Sequence, residues 1–478
     1  MVSNEKFSQQ VPSNLQGTVL VCGAGVSGAG CAHMLTTLGV DVVVADDNET
    51  ALLRVTEATG ARGIDTATAA ERMDSFSAVV TSPGWSPASP LLQKAQQAGH
   101  TVMGDVELAW QLDQAGCFGA PRTWLVVTGT NGKTTTTAML AAMMDTGQAK
   151  AQAVGNIGVA IGDALTAAER IDILVAEMSS FQLHWSDTLH PAAGVLLNIA
   201  EDHLDWHGGM PGYAAAKAKA LTGDVAVVGL DCPAAVAQLE RLNDPNTTVV
   251  GFTLGAPAEG QLGVVDGMLY DNAFGHGALC SAAGISPPGP AGVSDALAAA
   301  AVALSQSIPP ADIVSALESF EVSQHRGQIV HSVVVEENLP PIVFIDNSKA
   351  TNPHAADQAL AGHDKLVWVA GGQLKGAEVA GLVRDHAHRL LGVSIIGVDA
   401  PLIAAALDEY APDVPYTVVA TTDPAQAMDE AMQAALRYAQ PGAAVVLAPA
   451  AASLDMYTGM SQRGDMFAHA ARALTATS

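Results

Sequence analysis

The sequence predicts an α/β protein built on parallel sheets, and three observations carry this prediction. Short runs rich in β-branched residues alternate with alanine-rich stretches that favour helices. The alternation recurs in three blocks along 478 residues, a length typical of several domains. Hydrophobic residues make up 49% of the chain and charged residues 14%, which supplies material for buried cores and excludes disorder as the main state.

The first block contains a glycine turn between a strand and a helix. Strands are predicted at residues 18–22, 41–45 and near 78–81, with helices up to about residue 38 and near 90–98. A stretch with glycine and proline at residues 116–121 is suited to a linker. We therefore expect a first domain over residues 1–120.

Two further blocks repeat this pattern, over residues 121–324 and 325–478. In the second, strands are expected at residues 123–127, 171–176 and 194–197, helices at 136–144 and 295–305, and β and loop structure over 251–290. In the third, strands are expected at residues 342–345, 366–369, 393–398 and 444–447, with helices at 378–391 and 424–438.

Charge and cysteine content restrict the partners and the compartment. Lys and Arg total 21 against 48 Asp and Glu, a formal net charge of −27, which argues against nucleic acid or an anionic membrane as a general partner. Five dispersed cysteines indicate reduced thiols. The polar N-terminus does not resemble a signal peptide, and no apolar run approaches the about 18–20 residues of a membrane span. We expect a cytoplasmic protein.

The first chemical motif is the glycine loop Gly-Ala-Gly-Val-Ser-Gly at residues 23–28, between a strand and a helix. Such a loop lets backbone N–H groups approach a diphosphate, and Asp46 after the next strand can accept from a ribose hydroxyl or a base. A nicotinamide, a flavin or a nucleotide-sugar would each fit, and a tight turn without a ligand is the alternative.

The second motif is Thr-Gly-Thr-Asn-Gly-Lys-Thr-Thr at residues 128–135, again between a strand and a helix. Its backbone N–H groups would cradle phosphates, Lys133 would reach the terminal phosphates and Thr134 would ligate Mg²⁺. Val127 stands where the general P-loop has its first glycine, so the loop is a variant.

Polar residues that follow later strands could complete a metal site. Glu177 comes at the end of a predicted strand, and His203 lies in the run Glu-Asp-His-Leu-Asp at residues 201–205. Taken singly, each is more often a solvated or satisfied polar residue, and Asp202 and Asp205 could equally be helix caps.

Lysine is scarce, yet Lys349 and Lys375 both follow predicted strands of the third block, where open α/β sheets bind ligands. Ser453 follows the last strand of the same block.

Two phosphate loops and a cationic third block indicate ATP-driven joining of a nucleotide-linked substrate to a small anion. A nicotinamide-dependent oxidoreductase would leave Lys133 and Lys349 unexplained. An ATP-gated interaction protein would bind nucleotide without substrate-dependent turnover.

At this point the sequence resembles the Mur ligase family over nearly its whole length. Within that family it is most similar to the branch that adds D-glutamate to UDP-N-acetylmuramoyl-L-alanine. A sister ligase that adds L-alanine or another amino acid is the nearest alternative. The resemblance is carried by residues 129–135, 155–158, 177–183, 201–203, 325–326, 347–352 and 450–455.

The resemblance implies a Rossmann-like N-terminal domain for the UDP-substrate, a P-loop-type central ATPase domain and a Rossmann-like C-terminal domain for the incoming amino acid. It implies ATP, two Mg²⁺ ions, an acyl-phosphate intermediate and a monomer. The implied catalytic residues are Lys133, Glu177, His203 and a carbamylated Lys217, with Lys219 as the neighbour that could be confused with Lys217. The implied metal ligands are Thr134, Glu177, His203 and Lys217.

The resemblance also implies the contacts of each substrate. For ATP these are Gly129, Thr130, Asn131, Gly132, Lys133, Thr134, Thr135, Asp295, Arg326 and Asn347. For the UDP-substrate they are Gly25, Val26, Ser27, Gly28, Asp46, Asp47, Ser82, Gly84, Asn156, Ser180 and Gln182. For D-glutamate they are Lys349, Thr351, Lys375, Ser453 and Leu454.

The chain departs from the family pattern at a few positions. Gly292 and Asp295 lie where members often have asparagines that contact adenine, and Asp295 is the best replacement. Asn347 lies where an aspartate often contacts ribose, with Asp346 one residue earlier, and Met460 replaces a frequent aromatic residue. None of these departures removes a charge that the mechanism needs.

Overall fold

A computed structural model describes residues 11–147, 149–241, 244–322 and 324–474. The described residues up to Leu279, with Asp295–Leu317, form one compact unit, and Cys280–Ser294 with the described residues from Glu318 form a second. Three sheets of five, nine and six strands account for the strands of the described chain. The predicted α/β class with parallel sheets is confirmed.

The first sheet is parallel and has the strand order β3-β2-β1-β4-β5. Its strands are β1 (Thr18–Cys22), β2 (Asp41–Ala45), β3 (Arg62–Ile64), β4 (Ala78–Thr81) and β5 (Val102–Gly104). The accompanying helices are α1 (Val26–Thr37), α2 (Glu49–Thr59), α3 (Thr66–Glu71), α4 (Pro90–Gln97) and α5 (Asp105–Gln114). The central strands are buried on both faces, which explains their continuous apolar runs.

The second sheet has the order β14-β13-β12-β11-β10-β9-β6-β8-β7. Its strands are β6 (Thr123–Thr128), β7 (Ala151–Gly155), β8 (Ile173–Glu177), β9 (Ala193–Leu196), β10 (Val225–Gly229), β11 (Thr248–Phe252), β12 (Gln261–Val265), β13 (Met268–Asp271) and β14 (Gly277–Ser281). The helices of this region are α6 (Lys133–Met144), α7 (Ile161–Thr166), α8 (Ser180–His184), α9 (Leu204–His207), α10 (Met210–Ala218), α11 (Pro233–Val236), α12 (Pro290–Ser305) and α13 (Pro310–Glu318). Helix α12 starts five residues before the predicted helix at 295–305.

The third sheet has the order β15-β16-β20-β17-β18-β19, with β15 antiparallel to β16. Its strands are β15 (Gln328–Val333), β16 (Ile342–Asp346), β17 (Leu366–Gly371), β18 (Leu390–Ile396), β19 (Tyr416–Val418) and β20 (Ala444–Leu447). Its helices are α14 (Pro353–Ala361), α15 (Ala380–His386), α16 (Ala400–Tyr410), α17 (Pro424–Tyr438) and α18 (Met460–Ala473). The prediction of a helix to residue 391 was wrong, because α15 ends at His386 and β18 already begins at Leu390.

Helix α5 joins the first two sheets through two buried carboxylates. Asp113 Oδ1 lies 2.6 Å from the Arg122 guanidinium, and its Oδ2 accepts from the Trp124 indole at 2.9 Å. Glu107 accepts from the backbone N–H of Thr188 at 3.0 Å. One apolar core cluster includes residues of both sheets, so the two sheets share a core within the first compact unit. Among the described helices, none is both long and apolar enough to span a membrane.

Candidate active site

The carboxyl ends of four neighbouring strands, β9, β6, β8 and β7, bring the predicted catalytic groups of the first compact unit to one edge. The phosphate loop follows β6, Glu177 is the last residue of β8, and Asn156 comes directly after β7. Parallel strands present their ligand-binding loops at this edge. The order of the strands therefore explains why residues distant in sequence meet here.

The phosphate loop is held by side chains from the loop after β9 and from helix α10. The side-chain Oδ1 of Asn198 accepts from the backbone N–H groups of Thr130 at 3.1 Å and Asn131 at 2.9 Å. The Thr130 hydroxyl and the Tyr213 hydroxyl lie 3.0 Å apart. Gly132 has φ +84° and precedes α6, and a Cβ there would collide with the Asp295 carboxylate. Asp295 is thus packed against the phosphate loop itself.

Glu177 lies between the loop and Asn156. Its Oε2 accepts from the Thr134 hydroxyl at 2.7 Å, and its Oε1 accepts from the Asn156 amide at 2.9 Å. Glu177 is 1% exposed. Lys133 Nζ donates to the carbonyl of Thr130 at 2.7 Å, which folds its side chain back over the loop. The hydroxyl, the carboxylate and the amide are oxygen-rich partners that suit Mg²⁺.

Lys217 is buried beneath the same loop, 2% exposed. Its Nζ donates to the carbonyl of Gly129 at 2.6 Å and lies 4.9 Å from the ring centroid of Tyr213. Burial, reinforced by the charge of Lys133, holds the pKa of Lys217 well below its ordinary value. Lys219, by contrast, pairs with Asp187 at 2.7 Å. The two lysines therefore have different surroundings: Lys217 is buried against the phosphate loop and Lys219 forms an ion pair.

His203 adopts a left-handed conformation with φ +52° at the start of α9. Its ring packs on Phe181 at a centroid distance of 4.7 Å, and its Nε2 lies 3.5 Å from Asp202. Among the residues that the structure describes, no three His, Cys, Asp or Glu side chains form a group able to hold a metal ion. Of the predicted metal ligands Thr134, Glu177, His203 and Lys217, only Glu177 and His203 are of these four residue types.

Four of the predicted UDP-substrate residues line a second feature, a cavity of about 210 Å³. Val26, Ser27, Asn156 and Gln182 all line it. Ser82 Oγ, near the loop at Gly23, is buried and has no hydrogen-bond partner among the described residues. An orphaned hydroxyl beside a glycine loop is consistent with a polar ligand there.

Other predicted UDP-substrate residues already have protein partners. Asp46 Oδ2 accepts from the N–H of Ala24 at 2.6 Å, so this carboxylate stabilises the glycine loop. Asp47 accepts from Thr66, and the Gln182 side-chain oxygen accepts from the N–H of Ser179 in the capping box of α8. Gly28 lies against the carbonyl of Gly23, which holds α1 close to the loop. Gly25 is the N-cap residue of α1, and a Cβ at Gly25 or Gly84 would meet nothing within 4 Å.

Ser180 is also engaged, through the His207 Nε2 at 2.9 Å. Burial, followed by the charges of His184, His203 and Lys217, lowers the pKa of His207 to about 4. A neutral imidazole therefore faces the Ser180 hydroxyl at neutral pH.

In the second compact unit, the predicted amino-acid-binding residues follow β16, β17 and β20. Lys349 and Lys375 are exposed, Thr351 is half-buried, and Ser453 is 4% exposed. Leu454 is 65% exposed. Arg326 and Asn347 are half-buried on loops of the same unit.

Asp346, one residue before Asn347, is a buried carboxylate with partners inside the second compact unit. It is 1% exposed, and its Oδ2 lies 2.6 Å from Nδ1 of His325 while its Oδ1 accepts from the N–H of Ser348 at 3.0 Å. Both carboxylate oxygens thus have partners within the protein.

Sequence reasoning missed three residues of the first unit. Asn198 and Tyr213 brace the phosphate loop, and Asp105 lines the cavity with its carboxyl group held by Ser27 and Gln182. Burial raises the pKa of Asp105. Tyr213 precedes Lys217 by one helical turn, a spacing that could have indicated a shared site.

Family models identify the class of protein to which this fold and site belong. The Mur ligase MurD-like N-terminal domain matches residues 17–104, the Mur ligase middle domain matches 127–303, and the Mur ligase glutamate ligase domain matches 325–451. The chain belongs to the Mur ligase family, whose members depend on ATP and Mg²⁺. The predicted resemblance and three-domain fold are confirmed.

Two individual relatives show which branch of the family the chain is similar to. The chain is 55% identical to the UDP-N-acetylmuramoylalanine–D-glutamate ligase of Corynebacterium efficiens, over 96% of both chains. It is 48% identical to the ligase of that name from Nocardia farcinica, over 95% of this chain and 96% of the relative.

Solved structures are similar in fold. MurF from Acinetobacter baumannii has a TM-score of 0.57 at 15% identity, over 97% of this chain and 98% of that one. UDP-N-acetylmuramate-alanine ligase MurC from Thermotoga maritima has a TM-score of 0.54 at 17% identity, over 96% and 99%.

Proposed function

We propose that this protein is an ATP-dependent ligase that adds D-glutamate to UDP-N-acetylmuramoyl-L-alanine, in the synthesis of peptidoglycan precursors in the cytoplasm. The observation that carries the proposal is the 55% identity, over 96% of both chains, to a relative that bears this name. The phosphate loop and Glu177 at one sheet edge supply the ATP chemistry that the reaction needs. Monomeric action is part of the proposal.

The reaction passes through an acyl phosphate. The terminal carboxylate of the nucleotide substrate attacks the γ-phosphorus of ATP, and ADP leaves. The D-glutamate amine then attacks the acyl carbon, the tetrahedral intermediate loses phosphate, and an amide remains. Positioning and charge neutralisation account for most of the catalysis in such phosphoryl and acyl transfers.

On the ATP side, the backbone N–H groups of residues 129–135 hold phosphate oxygens, and Lys133 neutralises charge that develops on them. Lys133 must then exchange its bond to the Thr130 carbonyl for one to phosphate. Thr134, Glu177 and His203 would hold Mg²⁺. When bound, the ions neutralise charge on the phosphate and carboxylate oxygens. Arg326, Asn347 and Asp295 complete the proposed nucleotide contacts.

Lys217 is proposed to act as a carbamate. Its buried amine has a strongly lowered pKa, so the uncharged, nucleophilic form is accessible. The ammonium form first gives up one proton; the neutral nitrogen then attacks the carbon of CO₂, an N–C bond forms, a second proton leaves the nitrogen, and an anionic carbamate results. The change would add a second anionic group beside Glu177. Bicarbonate labelled with ¹³C should give a carbamate signal in wild type and in Lys219→Arg, and none in Lys217→Arg.

The two other substrates are assigned to separate loops. The UDP-substrate is proposed to lie along the glycine loop at residues 23–28 and the cavity lined by Ser27, Asn156 and Gln182. D-Glutamate, with two carboxylates, is proposed to bind Lys349, Lys375, Thr351, Ser453 and Leu454. The two lysines supply the positive charge that an otherwise acidic chain lacks.

Phosphate release from ATP tests the proposal, with UDP-N-acetylmuramoyl-L-alanine present and each amino acid added separately. Release that requires D-glutamate, and not L-glutamate or L-alanine, is expected. Release with another amino acid would identify a sister ligase with the same mechanism. ATP binding without any release would contradict the ligase activity. Fluorescence from a bound reduced nicotinamide would instead favour an oxidoreductase.

A further inference from the structure

Arg463, in the first turns of α18, is a buried cation at the centre of the second compact unit. Its exposed fraction is 0%. An arginine is rarely buried to this extent unless its donors are paired. The hydrogen bonds of this side chain therefore show which segments of the chain the guanidinium holds.

The guanidinium donates to three different segments of the chain. Its Nε donates to the Ser348 hydroxyl at 3.0 Å and one terminal nitrogen donates to the Ser348 carbonyl at 2.9 Å. The other terminal nitrogen donates to the carbonyls of Ala451 at 3.1 Å and Gly371 at 3.3 Å. All these acceptors are uncharged. The planar guanidinium, whose N–H donors have fixed directions, therefore holds the backbone of these segments in place.

Each acceptor belongs to a loop that leaves a different strand of the third sheet. Ser348 follows β16, Gly371 ends β17 and Ala451 follows β20, and these three strands are neighbours in the sheet. The loops that they begin contain the residues proposed to bind D-glutamate. Lys349 is adjacent to Ser348, Ser453 is two residues after Ala451, and Lys375 is four residues after Gly371.

The loops are packed tightly around this side chain. The Ser348 hydroxyl also donates to the carbonyl of Met460 at 2.7 Å, which ties the first loop to the start of α18. Gly372 has φ +134°, and a Cβ there would lie 3.2 Å from a terminal nitrogen of Arg463 and would collide with the Ala452 carbonyl. A displacement of the guanidinium would therefore be transmitted to all three loops.

Arg463 also keeps its charge. Burial lowers its pKa to about 10, against the opposing effects of Tyr457, Asp455 and Asp346, so it is protonated at neutral pH. A fixed positive charge beneath loops that carry two lysines favours a dianion above them.

We propose that Arg463 is a positioning residue that sets the spacing of the three D-glutamate-binding loops and adds positive potential beneath the amino acid. This inference rests on the proposed function. Arg463 does not touch substrate. It acts through Ser348, Gly371 and Ala451, and its loss should weaken binding of the amino acid far more than binding of ATP or of the nucleotide substrate.

The test compares Arg463→Lys with Arg472→Lys, the same substitution at an exposed position of the same helix. Lysine keeps the charge but has one nitrogen in place of the fork. We expect Arg463→Lys to raise the KM for D-glutamate by about 10- to 100-fold, since a misplacement of about 1 Å can cost about 100-fold. The KM values for ATP and UDP-N-acetylmuramoyl-L-alanine should stay within about 2-fold of wild type, and Arg472→Lys should match wild type in all three.

Ser348→Ala is the second variant, because it removes one acceptor and leaves the guanidinium in place. It should raise the KM for D-glutamate by a smaller factor than Arg463→Lys does. If Arg463→Lys does not fold, the KM of Ser348→Ala tests the proposal in its place. Equal changes in all three KM values, or unchanged KM values in a folded variant, would overturn the proposal. If wild type responds to another amino acid, the proposed function fails while the KM for that amino acid still tests Arg463. Wild type without any amino-acid-dependent turnover would overturn both.

Discussion

The hydroxyl of Thr134, in the first turn of α6, donates a hydrogen bond of 2.7 Å to Oε2 of Glu177 at the end of β8, the strand that neighbours β6 in the nine-stranded sheet. The phosphate loop is thereby joined to the buried carboxylate that is proposed to hold Mg²⁺. Glu177→Gln keeps the size of the side chain and its hydrogen-bonding oxygen but removes the anion. Loss of an outer partner of a metal site costs about 10- to 100-fold in affinity or activity, so loss of this proposed ligand should lower kcat/KM by more than about 100-fold.

Phosphate release measured against Mg²⁺ concentration checks this prediction. Glu169→Gln is the matched control, because Glu169 pairs with Lys150 at the surface and its side chain is 79% exposed. A Glu177→Gln variant with the Mg²⁺ dependence of wild type would show that the carboxylate holds no metal.

Gly28→Ala should disrupt the glycine loop, since the new methyl group would overlap the carbonyl of Gly23. We expect a loss of about 1–3 kcal/mol in the free energy of unfolding, typical of an overpacked site. Gly30→Ala, two residues later in α1, has open space and should instead stabilise the helix by about 0.5–1 kcal/mol. Changes of opposite sign in the free energy of unfolding of Gly28→Ala and Gly30→Ala, measured by chemical denaturation, would confirm the prediction. Equal changes in the two variants would contradict the close contact at Gly28.

Asp113→Ala should be the more destabilising of two aspartate deletions. It leaves the Arg122 guanidinium, whose side chain is 2% exposed, without its charge partner and the Trp124 indole without an acceptor. Breaking a buried pair by removing one partner costs about 3–5 kcal/mol. Asp41→Ala breaks a pair with Arg62 that is half-exposed, and a far smaller loss is expected. Comparable losses in denaturant unfolding would contradict this account.

His363 should contribute to acid sensitivity. Burial, followed by the charge of Arg389 and opposed by Asp364, lowers its pKa from the ordinary value of 6.5. The unfolded chain then binds the proton more readily than the folded one, so the contribution of His363 to stability is present above pH 6.5 and is lost as the pH falls below it. The unfolding midpoint of His363→Gln should therefore fall less steeply than that of wild type between about pH 7 and about pH 5. Parallel pH profiles would count against the shifted pKa.

Elements that depend on local pattern could be predicted from the sequence. Residues 18–22, 41–45 and 366–369 are apolar runs between turn residues. The observed strands β1, β2 and β17 begin and end within a few residues of these predicted bounds. The end of α15 depended on distant packing. Leu390 already pairs with Leu366 of β17, so this residue joins the sheet although the local alanine and leucine content favours a helix.

The residues of the candidate site likewise fall into a group that the sequence predicts and a group that it does not. Loops with a glycine or lysine signature were found because the phosphate chemistry prescribes their residues in a short span. Contacts between residues far apart in sequence left no such signature. Ser348 and Arg463 are separated by 115 positions, and Asn198 braces a loop 67 positions before it. The roles assigned to individual site residues stay predictions until the variants are measured.

The buried carboxylates of α5 have a consequence for the growing chain. Asp113 needs Arg122 and Trp124, Glu107 needs Thr188, and the apolar core of the first sheet continues into the second. During synthesis, the first sheet can complete its packing only after the chain through residue 188 has left the ribosome. A fragment that stops near residue 120 would expose apolar surface and leave Asp113 and Glu107 without these partners, and should aggregate when expressed alone.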